Sequence, residues 1–417
     1  MAKSDKGRAS AGGNNANCIS RLFQIGSYGR TGLRDLRSPL LLEQPQGPSF
    51  HLADLRNHQR PPRLPTPLTP PCPDMPHSHH SHSGQFCSHA RDSLASVLQQ
   101  AHDLGFTHFH LSEHVPRANF TELYPEEVSA NITPAALRTT FSAYLKEARR
   151  LQAEYTNKGL HVLVGCETEN ITSPGTLDYL TEVLGSTPET KPEMIGKGVV
   201  DYIVGSLHHT HSIPIDFDRE TFDRSVSSFS SSSTHAAHLQ LIDQYLDDQL
   251  EVLHRLKPEV IGHFDLFRLF TPSLKIRGEK QIWSKVERNV RYAVEYGALF
   301  ECNAASFRKG WNTSYPAREV LDLIQSLQGR LCLSDDSHGV HAVGLNYLRL
   351  KEYLIDAGVD TIWYLEKDAS QSPAGQDKDG HTRPTHFARG TVAKPMGPEW
   401  KTHPFWTTFT ASLESQS

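Results

Sequence analysis

The 417-residue sequence is short of sulfur, with six cysteines and four methionines. No two cysteines stand in a Cys-x-x-Cys spacing, which argues against a structural zinc knuckle and a disulfide framework. Cys18, Cys72, Cys87, Cys166, Cys302 and Cys332 therefore read as reduced thiols of a cytoplasmic protein. Long apolar runs are missing as well: none approaches the ~20 residues of a membrane span. No hydrophobic stretch near the start reads as a secretory signal. Neither sign of charge dominates. The 42 basic and 47 acidic residues leave a formal net charge of −5, which argues against a general nucleic-acid-binding surface. A hydrophobic content of 37% and a mean hydropathy of −0.48 indicate a soluble chain with some polar excess.

Histidine is what the sequence has in quantity: 24 residues, five of them between positions 77 and 89. Imidazole is the commonest protein ligand for zinc, iron and manganese. On an extended strand a His-x-His pair puts both rings on one face, because side chains alternate with period two. His77/His79 and His80/His82 both fit that geometry, and either pair could hold one ion. The stretch is internal and runs into an amphipathic helix, unlike a tag or a low-complexity tract.

The chain divides by composition. Residues 1–73 are rich in Pro, Ser, Gly, Asn and Arg and read as a disordered extension. Met75 stands directly before the histidine cluster, and removal of 1–73 is expected to leave activity intact. From His77 strands and helices alternate. A helix near 91–104 carries Leu94, Val97, Leu98, Ala101 and Leu104 on one stripe, with Gly105 closing it. A second starts at Pro134 behind the cap Thr133. Further helices are expected near 176–184, 236–256, 279–296 and 316–328, and strands near 106–112, 160–165, 199–205, 259–262, 298–302, 330–333 and 361–365. The serine-rich stretch 225–234 reads as a flexible insertion. After 366 the composition turns polar and irregular, although Trp400, Phe405 and Trp406 could dock.

Seven strand–helix units imply a parallel sheet, which right-handed crossovers can close into a barrel. Active sites of such barrels lie at the C-terminal ends of the strands. His80/His82, His114, Glu167, His208, His263 and Asp336/His338 all fall at or just past predicted strand ends. Core histidines scattered by chance would not collect at one end.

These residues sit in the stretches HSHHSHSGQFCSHA, LSEHVPR, GCETE, DYIVGSLHHTHSIPIDFD, VIGHFDLFRLF, FECNAASFRKG and SDDSHGVHAVGLNY, spread over about 75–350. In order, spacing and flanks they resemble the PHP (polymerase and histidinol phosphatase) family, and within it the fungal-type histidinol-phosphatases. The resemblance implies an α/β fold, a distorted (β/α)7 TIM-like barrel over 74–366; the tail 367–417 lies outside it and reads, from its aromatic residues, as partly docked. It implies two to three divalent ions held by His80, His82, His89, His114, Glu167, His208, His263, Asp336 and His338. It also implies a metal-dependent phosphoric monoester hydrolase that converts L-histidinol phosphate to L-histidinol and inorganic phosphate in histidine biosynthesis, a small-molecule enzyme with no nucleic-acid or membrane partner.

The residue types add chemistry to this. Imidazoles with two carboxylates suit Zn, Fe or Mn better than Mg, which prefers oxygen. No nucleophilic Cys or Ser motif with a basic loop is evident, so attack by metal-activated hydroxide is expected. Phosphate needs cationic clamps, and Arg117, Arg308, Lys309 and Arg268 follow the predicted strand ends. Asp265 and His209 are the candidates to protonate the leaving alkoxide. Cys87 reads as packing.

Overall fold

The computed structural model describes residues 76–169, 174–184, 199–369 and 384–416. The extension 1–73 lies outside the described residues, and so does part of the tail.

The helices form where capping and apolar spacing coincide. In Leu94–Asp103 the Ser93 hydroxyl accepts from the Ser96 amide, and Leu94, Val97, Leu98 and Ala101 bury one stripe. Pro134–Thr156 starts at proline, with the Thr133 hydroxyl accepting from the Ala136 amide. Its buried face is Phe141, Tyr144, Ala148, Leu151 and Tyr155. Thr234–Leu256 is capped by Ser233, and Lys257 in the left-handed region ends it before Pro258.

The serine-rich stretch is not a flexible insertion throughout. Arg219–Ser227 is a helix capped by Asp218, and Ser225 is buried with its hydroxyl 2.7 Å from that of Thr210. Serine is a poor helix former, so composition favours a loop there. The buried contacts of Phe222, Ser225 and Val226 override it.

The largest sheet has five parallel strands in the order Arg330–Ser334, Leu299–Asn303, Val260–Ile261, Tyr202–Gly205 and Gly165–Glu167. Around it the pairing is fragmentary. His77–Ser78 pairs in parallel with His108–Phe109, and Ser81–His82 with Ser337–His338. Single parallel bridges join His108 to His161, Leu111 to Val164 and His114 to Glu167.

The interruptions have a cause in the side chains. The Leu333 amide donates to His77 Nε2 at 2.8 Å, the Leu365 amide to His79 Nε2 at 2.9 Å and the Leu163 amide to His110 Nδ1 at 3.2 Å. Imidazoles here accept hydrogen bonds that neighbouring carbonyls accept in a regular ladder. His77 and His79 are thus buried groups tied to the backbone, which leaves His80/His82 as the candidate pair for an ion.

The tail is more ordered than its composition suggests. Thr391–Met396 pairs antiparallel with Ile362–Lys367. Phe405–Gln416 is a helix whose Phe405 and Phe409 rings lie 5.5 and 6.3 Å from that of Phe106. Trp400, Phe405, Trp406 and Phe409 are buried. Arg389 is buried against Glu259 at 2.9 Å. Among the described residues no helix is long and apolar enough to cross a membrane, and Cys87, Cys166, Cys302 and Cys332 are free thiols.

Candidate metal centre

The strand ends converge on Glu167. His82 ends the buried strand Ser81–His82, His80 lies buried just before it, and Glu167 ends the strand Gly165–Glu167. Glu167 Oε1 lies 3.0 Å from His80 Nε2, 3.3 Å from His208 Nε2 and 3.0 Å from His263 Nε2. Its Oε2 lies 3.3 Å from His82 Nε2 and 3.1 Å from His114 Nδ1. Asp336 Oδ1 adds a second carboxylate, 3.6 Å from His80 Nε2 and 3.5 Å from His82 Nε2. Glu169 is the third: it touches His114 Nδ1 and stands 3.2 Å from His208 Nδ1.

Asp336 takes a left-handed backbone conformation (φ 48°), which Asp tolerates better than most residues. Arg308 holds the turn, donating to the carbonyls of Asp335 at 3.0 Å and Asp336 at 2.7 Å.

These donors fit divalent ions. His80 Nε2, His82 Nε2, both ring nitrogens of His114 and Glu169 Oε1 are buried without a hydrogen-bond partner, despite the short contacts around them. Ligand atoms lie within 4.8 Å of one another in His80/Glu167/His263, His80/His82/Asp336, His82/His114/His338, His114/Glu167/Glu169 and Cys87/His89/His114. Imidazole with carboxylate is the donor set of Zn, Fe and Mn sites.

The electrostatics agree. Burial pushes the Glu167 carboxyl up, but His80 and His208 outweigh it and hold it well below the usual carboxylate range. Glu169 is held down likewise by His114 and His208. Burial opposes protonation of His82, yet its carboxylate partners raise it to about 10. The buried carboxylates therefore demand positive charge, which protons or divalent ions can supply.

The surroundings orient the ligands. His80 Nδ1 is 3.0 Å from Glu301 Oε2, and Glu301 also accepts from Asn303 Nδ2 at 2.8 Å. That contact fixes the ring so that Nε2 faces Glu167. The Tyr124 hydroxyl donates to Glu169 Oε2 at 3.2 Å. His338 lies at the rim with Nδ1 2.9 Å from its neighbour's carbonyl, that of Asp336. His89 is further out, its side chain 38% exposed, with Nε2 3.2 Å from Cys87 Sγ and Nδ1 3.3 Å from Glu126 Oε1.

A cavity of about 350 Å³ opens over the cluster. Arg308 and Lys309 line it, as do Asp216, Tyr124 and Phe217. Burial pushes the Asp216 carboxyl above its usual range.

Four of the expected substrate or proton-transfer residues are placed elsewhere. Arg117 is buried against Glu127 and 3.5 Å from Glu169, so its charge is already committed. Arg268 pairs with Glu319 at 2.7 Å. Asp265 accepts from the Ala317 amide at 2.9 Å, off the cavity. His209 is fully buried outside the cavity lining, and burial lowers it to about 3, leaving no proton to give at neutral pH. Glu169, Glu301 and Asp216 are the residues that sequence reasoning missed. Glu169 carried a signal, since it stands two residues from Glu167 on an extended segment and shares its face. Glu301 carried a weaker one, a carboxylate inside an apolar strand, where a buried charge needs a partner.

The PHP domain family matches residues 78–305. A Schizosaccharomyces pombe protein named "Probable histidinol-phosphatase" is 42% identical over 288 residues, covering 68% of this chain and 88% of that protein. The Saccharomyces cerevisiae histidinol-phosphatase is 31% identical over 322 residues, covering 70% of this chain and 91% of that protein. The crystal structure of a candidate histidinol phosphatase from Listeria monocytogenes shares the fold. Its TM-score is 0.52 at 21% identity, covering 66% of this chain and 99% of that one.

Proposed function

The chain belongs to the PHP domain family, and from that membership we propose that it hydrolyses L-histidinol phosphate to L-histidinol and inorganic phosphate, a step of histidine biosynthesis. The substrate rests on the two fungal relatives, whose length the chain spans almost fully. The chemistry rests on one observation: five imidazoles surround the two oxygens of Glu167 on the floor of a cavity rimmed by Arg308 and Lys309.

The parallel strand positions from His77 to Ser334 are proposed to close as a distorted (β/α)7 barrel. The pairing of Ser81–His82 with Ser337–His338 supports that closure. The catalytic unit is read as 74–366, and within the tail 367–417 the buried Trp400, Phe405, Trp406 and Phe409 support its partial docking. A cytoplasmic setting fits the free buried thiols. The net charge of −5 fits a small-molecule substrate better than a nucleic acid.

Two to three ions of Zn, Fe or Mn would be held by His80, His82, His114, Glu167, Glu169, His208, His263, Asp336 and His338, with His89 at the rim. Bound there, they would lower the pKa of a water and neutralise phosphoryl charge. The remaining steps belong to the chain. Glu167 offers two carboxylate oxygens as ligand atoms and would help hold the ions below the cavity. Glu301 fixes the His80 ring. Arg308 is anchored by two carbonyls and presents its charge to the phosphate, and exposed Lys309 adds a second cation. The cavity walls position the ester for in-line attack.

The test is phosphate release from L-histidinol phosphate by the purified full chain, before and after chelation, with Mn or Zn restored. Turnover that vanishes with chelator and returns with metal is expected. A metal-loaded protein that releases no phosphate refutes the reading.

A further inference from the structure

One carboxylate lining the cavity has an oxygen without a hydrogen-bond partner among the described residues. Asp216 lines the cavity together with His208 and His263. Its Oδ1 is buried without a hydrogen-bond partner, and it forms no ion pair among the described residues. It also stands outside every group of side chains close enough to share an ion. The other acids nearby are committed: Glu126 to His89, Glu169 to His114 and Tyr124, and Asp265 to the Ala317 amide.

Asp216 is held in place by its backbone. Ile213–Pro214 pairs antiparallel with His209–Thr210, and the Ile215 amide donates to the His208 carbonyl at 2.8 Å. Two residues on, Asp218 caps the helix Arg219–Ser227. The segment thus returns over His208 and is pinned on both sides.

Asp216 is half-buried, its Oδ1 is shut off from water, and no cation stands within ion-pair distance of it among the described residues, so a cationic group of a ligand in the cavity would gain most by facing it. L-Histidinol phosphate carries two charges of opposite sign. Its phosphate would face Arg308, Lys309 and the ions that the ligands above would hold. Its primary ammonium is on the carbon next to the phosphate-bearing one, and the lone carboxylate among the cavity residues above that nothing occupies is Asp216. Resting on the function proposed above, we infer that Asp216 receives the substrate's ammonium group and makes the site selective for amino-alcohol phosphates over uncharged alkyl phosphates.

The experiment compares L-histidinol phosphate with its des-amino analogue, imidazolylpropyl phosphate, on the metal-loaded full chain and on Asp216→Asn. Wild type should favour the amino substrate in kcat/KM by about 100-fold. Asp216→Asn should remove most of that preference through KM for L-histidinol phosphate, while the analogue's kcat/KM stays within about threefold. A wild-type preference near unity overturns the inference, whether or not the variant folds. Equal losses on both substrates, in a variant with wild-type circular dichroism and metal content, overturn it too. A wild-type protein that turns over neither substrate removes the functional reading itself, and the inference with it.

Discussion

His110 gives the sharpest test of how imidazoles build this fold. The ring is fully buried. Its Nδ1 accepts from the Leu163 amide at 3.2 Å and its Nε2 lies 3.0 Å from the Leu365 carbonyl. An amide only donates and a carbonyl only accepts, so the ring must be the neutral tautomer with the proton on Nε2. Burial, then His108, lower its pKa to about 3. An unfolded histidine titrates at about 6.5. Between these values the unfolded chain takes up a proton that the folded chain refuses. Stability therefore falls as pH drops below about 6.5 and is unaffected above it. At about pH 5 the penalty from this one ring is about 2 kcal/mol. That is a large fraction of a typical 5–15 kcal/mol of stability. His77 and His79 are lowered by burial in the same direction.

The assay is urea denaturation of wild type and His110→Gln at about pH 7.5 and about pH 5. Glutamine keeps an oxygen to accept and an amide to donate, but does not titrate. Subtracting the two proteins cancels independent titrating groups, metal ligands included. The variant should lose about 2 kcal/mol less than wild type on acidification. An identical loss in both proteins refutes the reasoning.

Three further outcomes are expected. Glu301→Gln removes the charge that orients His80 and should lower metal affinity about 10- to 100-fold, read by competition with a chelator; unchanged affinity would show that the ring is positioned by packing alone. Arg308→Ala should raise KM for the phosphate ester by more than tenfold, whereas Arg117→Ala should lower stability by about 3–5 kcal/mol because Glu127 and Glu169 stay buried without it; the reverse pattern in steady-state kinetics and denaturation would reinstate Arg117 as the clamp. Phe409→Ala, a fully buried ring beside Phe405 and Phe106, should cost about 3–5 kcal/mol in the same denaturation assay, and a loss below about 1 kcal/mol would mean that the tail helix is not part of the core.

Much of this was legible because the relevant signals are local. Thr133 before Pro134 marks a helix start without reference to anything distant, and Pro134–Thr156 begins there. His80/His82, His114, Glu167 and His263 stand at strand ends, where topology gathers side chains. What was not legible depends on partners far along the chain. Arg117 and Arg268 look like free cations until Glu127 and Glu319 are placed beside them. His77/His79 and His80/His82 have the same spacing, and only the amides of Leu333 and Leu365 separate structural rings from candidate ligands. The helix Arg219–Ser227 was hidden because tertiary burial, not propensity, forms it. Glu169 was readable in principle, two residues past Glu167 on an extended segment.

The ligand set also ties together distant parts of the chain: His82 and His338 share one candidate ion group although 256 positions separate them. An ion held by such residues binds the folded chain and not the unfolded one, and at a thousand times its Kd stabilises by about 4 kcal/mol. Protein starved of metal would unfold more often and meet proteases more often. Cellular metal supply would then govern how long each molecule survives, and histidine output would follow the abundance of the protein as well as its activity.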